Sequence, residues 1–137
     1  MAAGRGGGWL LAVGAVAIAA SAVLAALGAL QLALAAGAPL GRLAWGGQHE
    51  VLPTALRIAS AVSIGAYAWC CAVVTDAAGL VDACDGDWPR TAVAVLAGYF
   101  GLGVVVNAVS RSRPERLVMT PVAAVLAALF LVAALRA

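Results

Sequence analysis

The polar side chains with binding chemistry lie in a few short parts of a mostly apolar sequence. A glycine-rich stretch, residues 37–53, carries Trp45 and the single histidine, His49. The other polar candidates flank this stretch or come much later in the chain. Amide, hydroxyl, indole and guanidinium groups suit a lipid headgroup or a small anion. The candidate binding residues are Gln31, Trp45, His49, Arg57, Ser60, Asn107, Arg111 and Arg116.

Metal and catalytic chemistry have little support in the sequence. His49 stands beside Glu50, without the further histidine, cysteine or carboxylate ligands of a zinc site. It also lacks a serine and an acid that would complete a hydrolytic triad. The aspartates of the segment 82–87 do not follow the spacing of a calcium-binding loop. We therefore predict no metal, no cofactor and no catalytic residue, and turn chemistry with a helix cap at Asp87.

The cysteines also favour a structural role. Cys70 and Cys71 are neighbours, and neighbours on a helix point about 100° apart, so they do not readily bridge each other. Without a C-x-x-C pair, the chain differs from quinone-linked thiol oxidoreductases. We interpret Cys70 and Cys71 as small apolar side chains and Cys84 as a loop thiol. A bridge from Cys84 to one of them stays open if its loop lies outside the cell.

The composition places the chain in a membrane. Of its 137 residues, 65% are hydrophobic and 10% are charged, whereas soluble domains carry about 25% charged residues. So few charges exclude a soluble enzyme and a disordered region, because they cannot cover a water-exposed surface. A net charge of +2 is too small for a nucleic-acid partner.

The charged residues divide the sequence into uncharged stretches at residues 6–41, 58–75, 91–110 and 117–135. A membrane-spanning helix needs roughly 20 apolar residues; the last three stretches are about that long, and the first is longer than a bilayer requires. Backbone groups in lipid must be satisfied within the segment, so the spans should be helical. We predict an all-α, antiparallel four-helix membrane bundle, one domain over 1–137, with spans near 9–36, 54–75, 89–110 and 116–135.

No ionisable side chain lies deep within a predicted span. Proton-coupled pumps and small multidrug exporters need such a group, so these classes are not favoured. A cleaved signal peptide is also not favoured, because the first apolar run is longer than the roughly 7–15 residues of a signal peptide's apolar core.

Four spans place loops one and three on one side of the membrane and both termini with loop two on the other. Loops one and three contain more arginines than the opposite side, so the positive-inside rule places them in the cytoplasm and the termini outside. We expect a multi-pass membrane protein. The arginines on the cytoplasmic side are Arg42, Arg57, Arg111, Arg113 and Arg116, and those on the other side are Arg5, Arg90 and Arg136.

Two side-chain interactions are predicted at the cytoplasmic end. Arg57 begins the second helix, where a cation opposes the helix dipole, so a specific partner should offset the mismatch. We expect Arg57 to hydrogen-bond to backbone carbonyls of loop one or to Asn107, with snorkelling to lipid phosphates as the alternative. Glu115 should pair with a neighbouring arginine rather than act as a catalytic acid.

Two functions remain open at this point. The first is a non-enzymatic membrane protein that binds lipid or a partner protein through its arginine-rich surface, with self-association also open. The second is a membrane enzyme or small-molecule carrier, with a shallow pocket between loop 37–53 and the ends of helices two and three. Convergence of the candidate residues on a cavity would favour the second function.

The sequence also resembles a family of small four-helix membrane proteins of bacteria, frequent in actinobacteria. The resemblance rests on Gly37-Ala38-Pro39 with Gly41, Trp45-Gly46-Gly47 with His49, Leu52-Pro53, Leu56-Arg57 with Ser60, Asn107 with Ser110-Arg111-Ser112, Glu115-Arg116 and Pro121-Val122. It covers about half of the chain. It implies the four-helix fold, a location in a bacterial inner (plasma) membrane and no particular activity.

Overall fold

Within the residues that the structure describes, the chain is entirely helical. The structure, a computed structural model, describes residues 3–137, with side chains from residue 7 onward. Arg5, which enters the charge count above, is thus outside the described side chains. Four α-helices follow one another: α1 (Ala3–Ala35), α2 (Thr54–Ala77), α3 (Trp88–Ala108) and α4 (Arg113–Arg136). The predicted all-α, four-helix fold is confirmed.

All four helices are long and apolar enough to cross a membrane. The first has 33 residues, or roughly 50 Å at the rise of an α-helix, and exceeds the bilayer core. The fourth begins at Arg113, earlier than predicted, because Pro114 occupies its first turn, where a proline costs no hydrogen bond. The third ends at Ala108, two residues before the predicted end.

The helices form a closed ring in which each packs against its neighbours in sequence, and α1 packs against α4. The ring is uneven. The pairs α1–α2 and α3–α4 share long interfaces, whereas α2 and α3 touch the least. Trp69 and Trp88 stack with their ring centroids 6.2 Å apart, so α2 and α3 meet near loop two. Nothing comparable joins the described parts of α2 and α3 near loop one.

The dense core lies in the half of the bundle that contains loop two and the termini. Lipid is as apolar as the core, so tight packing and small residues, rather than exclusion of water, hold membrane helices together. Phe100 and Phe130 meet here with centroids 5.0 Å apart. The buried residues of this core are Ala17, Ala20, Leu24, Cys70, Val73, Val74, Val93, Leu96, Ala97, Phe100, Leu126, Phe130 and Ala133.

Candidate functional site

Loop one, residues 36–53, is an ordered cover over the other end of the bundle. It contains two 3-10 turns, Gly41–Leu43 and Trp45–Gly47. The Gly41 amide donates a 2.8 Å hydrogen bond to the carbonyl of Glu50, which closes the loop on itself. Beneath it, Leu34, Ala44 and Leu52 form a small buried cluster. This apolar underside anchors the loop to the end of α1.

Loop one is hydrogen-bonded to the turn between α3 and α4. The Gly46 amide donates to one carboxylate oxygen of Glu115 at 3.3 Å, and the Ser110 hydroxyl donates to the other. The Ser112 hydroxyl donates to the Arg42 carbonyl at 2.5 Å. Loops one and three therefore share one end of the bundle, which confirms the arrangement predicted from the number of spans.

The predicted pairing of Glu115 with an arginine is wrong. Its hydrogen-bond partners in the described structure are a hydroxyl and a backbone amide, and the carboxylate is buried. Arg116 instead donates to the backbone carbonyl of Ser110 at 3.1 Å, and Arg111 is exposed. Because Glu115 lies in the first turn of α4, the helix dipole also favours its negative charge.

Trp45 connects loop one to α2. Its indole nitrogen donates a 3.0 Å hydrogen bond to the hydroxyl of Ser60, whose side chain is fully buried. The Trp45 backbone has φ +56°, a left-handed conformation that costs a residue other than glycine about 1–2 kcal/mol. The hydrogen bond and the contacts of the indole ring therefore hold a strained backbone in place.

Arg57 makes a backbone contact of the predicted type, at a slightly different place. Its Nε donates a 2.8 Å hydrogen bond to the carbonyl of Ala35, the last residue of α1. Asn107 is not its partner, because the Asn107 amide donates to the Gly103 carbonyl at 2.8 Å. The cation thus faces the carboxyl end of α1, whose dipole attracts positive charge. This interaction offsets the mismatch at the start of α2.

We expect Arg57→Lys to lower the stability of the detergent-solubilised protein by about 1–2 kcal/mol. Lysine keeps the charge but carries no donor at the position of Nε, so the bond to Ala35 is lost. The measurement is chemical or thermal unfolding, with Arg111→Lys as the control, since Arg111 is exposed. Equal effects of the two substitutions would support snorkelling instead.

A cavity of about 370 Å³ lies beneath loop one, in the half of the bundle that the dense core leaves unfilled. All four helices and loop one contribute to its walls. The lining is mostly aliphatic and aromatic, with a few uncharged polar groups. The lining residues are Leu27, Leu30, Gln31, Leu43, Ala44, Trp45, Ser63, Tyr67, Tyr99, Phe100, Leu102, Gly103, Val106, Asn107, Met119, Val122, Ala123 and Leu126.

The candidate residues converge only in part. Gln31, Trp45 and Asn107 line the cavity, and Ser60 lies behind the indole of Trp45. The other four candidates lie outside the lining. Arg57 is half-buried against α1, and the exposed residues of this group are His49, Arg111 and Arg116. The structure therefore does not bring all eight candidate residues to one pocket.

Sequence reasoning missed the polar groups in the middle of the helices. Ser63 and Tyr67 lie four residues apart on α2 and both line the cavity, as side chains at this spacing share a helix face. Tyr99 lines it from α3. The sequence signal that could have indicated these residues is the spacing of hydroxyl-bearing side chains within the apolar spans.

Loop two has its own turn structure. One carboxylate oxygen of Asp76 accepts hydrogen bonds from the backbone amides of Ala83 at 2.7 Å and Cys84 at 2.9 Å. The carboxylate that organises this turn is thus Asp76, outside the segment 82–87 for which turn chemistry was predicted. Asp87 occupies the predicted N-cap position of α3, but without a side-chain hydrogen bond. Among the described residues, no group of three His, Cys, Asp or Glu side chains is placed to hold a metal.

The thiols are all free, so the structure has no bridge from Cys84. Partial desolvation, followed by the nearby carboxylates of Asp76 and Asp85, raises the pKa of the Cys84 thiol above its ordinary value. At neutral pH a smaller fraction of Cys84 is therefore the reactive thiolate than in an ordinary exposed cysteine.

Comparison with known proteins adds no relative: no family model, no curated protein and no solved structure matches the chain. The function of the protein is therefore inferred from the geometry of the cavity and of the end of the bundle that covers it.

Proposed function

We propose that this protein is a lipid-binding membrane protein that holds a largely apolar molecule in the cavity beneath loop one. The observation that carries the proposal is the cavity itself. Its volume of about 370 Å³ falls within the roughly 300–1,000 Å³ of small-molecule sites. Its walls are aliphatic and aromatic, which matches an acyl or isoprenoid chain, and its few polar groups suit a small polar end.

The route into the cavity also favours a ligand from the membrane. Loop one covers the end of the bundle, with Leu43, Ala44 and Trp45 in the cavity wall. The α2–α3 seam has the least contact of the neighbouring pairs. Lining residues on α3, Leu102 and Val106, are 62% and 59% exposed on the bundle surface. A molecule already dissolved in the bilayer can enter sideways through this seam, whereas a small anion from water meets the covered end.

Binding, rather than covalent chemistry, fits the lining best. Within the described residues, the cavity wall contains no carboxylate, imidazole, thiol or guanidinium group. An enzyme or carrier site built on His49, Arg57 and Arg111 has less support, because none of these side chains lines the cavity.

The arginines at the same end supply a second contact with lipid. The side chains of Arg42, Arg111 and Arg113 are exposed beside loops one and three. Basic side chains at the cytoplasmic surface attract anionic headgroups by about 1 kcal/mol each. We propose a bacterial inner membrane with loops one and three in the cytoplasm, which the positive-inside rule and the resemblance to small four-helix bacterial membrane proteins support.

The cavity is tested by filling it. The purified protein, in detergent, is incubated with equal amounts of phosphatidylglycerol, phosphatidylethanolamine and diacylglycerol, and bound lipid is measured by native mass spectrometry. Ser63→Leu replaces a hydroxyl group with three carbon atoms in the wall of the cavity, because Ser63 lines it. We expect this variant to lose at least about tenfold in lipid occupancy.

The matched control is Ala66→Leu, on the same helix but exposed and outside the lining. It should retain the occupancy of the unmodified protein. Equal occupancy in Ser63→Leu, Ala66→Leu and the unmodified protein would refute the cavity as the lipid site, and so would the absence of bound lipid from all three.

The orientation is tested with Cys84. In a variant with Cys70 and Cys71 replaced by alanine, a membrane-impermeant maleimide should label Cys84 on intact cells, at about pH 8 because of its raised pKa. A cysteine introduced at the exposed Gln48 of the same variant, with Cys84 also replaced, should react only after permeabilisation. The opposite pattern would place loop one outside.

A further inference from the structure

The cavity contains one polar atom whose hydrogen bond is missing, and that atom is an acceptor. Gln31 lines the cavity and is 7% exposed, and its Oε1 is buried without a hydrogen-bond partner. The large majority of buried side-chain polar atoms are paired in folded proteins, because an unpaired one loses its hydration without compensation. Two further buried hydroxyls lack partners, Ser21 and Thr120, but neither lines the cavity.

Three of the other polar side chains around the cavity have a donor engaged within the protein. The Ser63 hydroxyl donates to the Ala59 carbonyl at 2.9 Å. The indole nitrogen of Trp45 donates to Ser60 at 3.0 Å, and the Asn107 amide to Gly103 at 2.8 Å. The Gln31 amide contacts the Tyr67 hydroxyl oxygen, and the Gln31 oxygen stays unpaired. Of the buried side-chain nitrogen and oxygen atoms on the described cavity wall, Gln31 Oε1 is therefore the one that lacks a partner.

We infer that the ligand is a neutral lipid whose polar end is a hydroxyl group, such as a diacylglycerol, and that this hydroxyl donates to Gln31 Oε1. The inference rests on the proposed lipid-binding function and narrows it to one chemical class. A hydroxyl supplies the missing donor. An anionic headgroup has no counter-charge here, because no arginine or histidine lines the cavity within the described residues.

The depth of Gln31 agrees with this class. Gln31 lies four residues before the end of α1 at Ala35, or roughly 6 Å below that end at the rise of an α-helix. A small hydroxyl end reaches this depth without carrying a charge into the bilayer. The first part of the apolar chains then lies along the deeper lining, which includes Leu27 and Leu126, and the rest extends through the α2–α3 seam into the bilayer.

The test compares two ligands that differ by one methyl group. These are 1,2-dioleoylglycerol, which has a free hydroxyl, and its 3-O-methyl ether, which has the same chains and no donor. Binding to the purified full-length chain is measured by native mass spectrometry and by thermal stabilisation in detergent. We expect the ether to bind about tenfold more weakly, because it leaves the buried oxygen unpaired.

The variant Gln31→Met keeps the shape of the side chain and removes the acceptor. It should bind the two ligands with equal affinity. Gln31→Met also separates folding from recognition, because a folded variant still binds the ether. A long-chain ketone, which accepts but does not donate, should bind no better than the ether.

The outcomes distinguish the two proposals. Equal binding of alcohol and ether to the unmodified protein, or preference for the ketone, would overturn the hydroxyl assignment and leave the cavity as a lipid site. Persistent discrimination in Gln31→Met would overturn the role of Gln31 alone. Binding of none of these ligands, with phospholipid still bound in the cavity, overturns the neutral-lipid assignment, and no lipid binding at all overturns both proposals.

Discussion

Replacing Gly41 by alanine is expected to destabilise the protein by about 3 kcal/mol or more, although it adds only one methyl group. At Gly41, the backbone of loop one passes close to the backbone of residues 49–50 of the same loop. A Cβ there would overlap the carbonyl oxygen of His49 and stand 2.8 Å from that of Glu50. Both obstacles are backbone atoms, and the Gly41 amide is already bonded to Glu50 at 2.8 Å. The overlap with these backbone atoms could be relieved only if loop one opened.

The control is Gly46→Ala, five residues later in the same loop. Gly46 has φ +81°, but nothing lies within 4 Å of the position its Cβ would take. Its cost is therefore limited to the strain of the left-handed conformation, about 1 kcal/mol. Thermal unfolding of both variants in detergent, with circular dichroism to confirm intact helices, gives the comparison. Similar small losses in both would show that loop one does not pack on itself as closely as described.

The spans could be predicted from the sequence because the bilayer imposes them. A charge is costly in the hydrocarbon core, so charged residues gather at the ends of helices and the intervals between them report the span length. The number of spans then determines that loops one and three share an end. The sequence predicts the ends of the helices less accurately than their number, because arginines such as Arg113 can enter a first turn while their charged ends remain at the interface.

The sequence does not predict which side of each helix faces the core and which side faces lipid. A soluble helix reveals its buried side by the contrast between apolar and polar faces, but lipid and core are equally apolar, so these spans lack that contrast. The number of spans predicts the end of the bundle at which Arg57 lies. Whether its side chain contacts Ala35 or Asn107 depends on the rotation of α2 about its own axis, which places the side chain against α1.

The sequence does not predict the cavity either, because the cavity lining, the core and the lipid are equally apolar. Its lining combines residues from four helices and a loop, and an apolar residue such as Leu27 gives no sign of whether it faces a cavity, a neighbouring helix or lipid. The glycines of loop one did indicate tight turns and close approach. Which backbone atoms approach Gly41 is a property of the folded loop.

Glu115 should be the most sensitive polar side chain at this end of the bundle. We expect Glu115→Ala to destabilise the protein by about 2–4 kcal/mol, because it leaves the Ser110 hydroxyl and the Gly46 amide without their shared acceptor. The same substitution detaches loop one from the turn before α4. Glu50→Ala is the control: it removes the same charge from an exposed position and should change stability by no more than about 0.5 kcal/mol.

Glu115→Gln separates the hydrogen bonds from the charge. A glutamine has nearly the same shape, its amide oxygen can accept from Gly46, and its amide nitrogen can donate to the hydroxyl oxygen of Ser110. If the two hydrogen bonds are what Glu115 contributes, this variant should lose only about 1 kcal/mol. A loss as large as that of Glu115→Ala would show that the negative charge matters most. Glu115 would then act chiefly through its negative charge at the N-terminus of α4, and the contacts with Ser110 and Gly46 would be secondary.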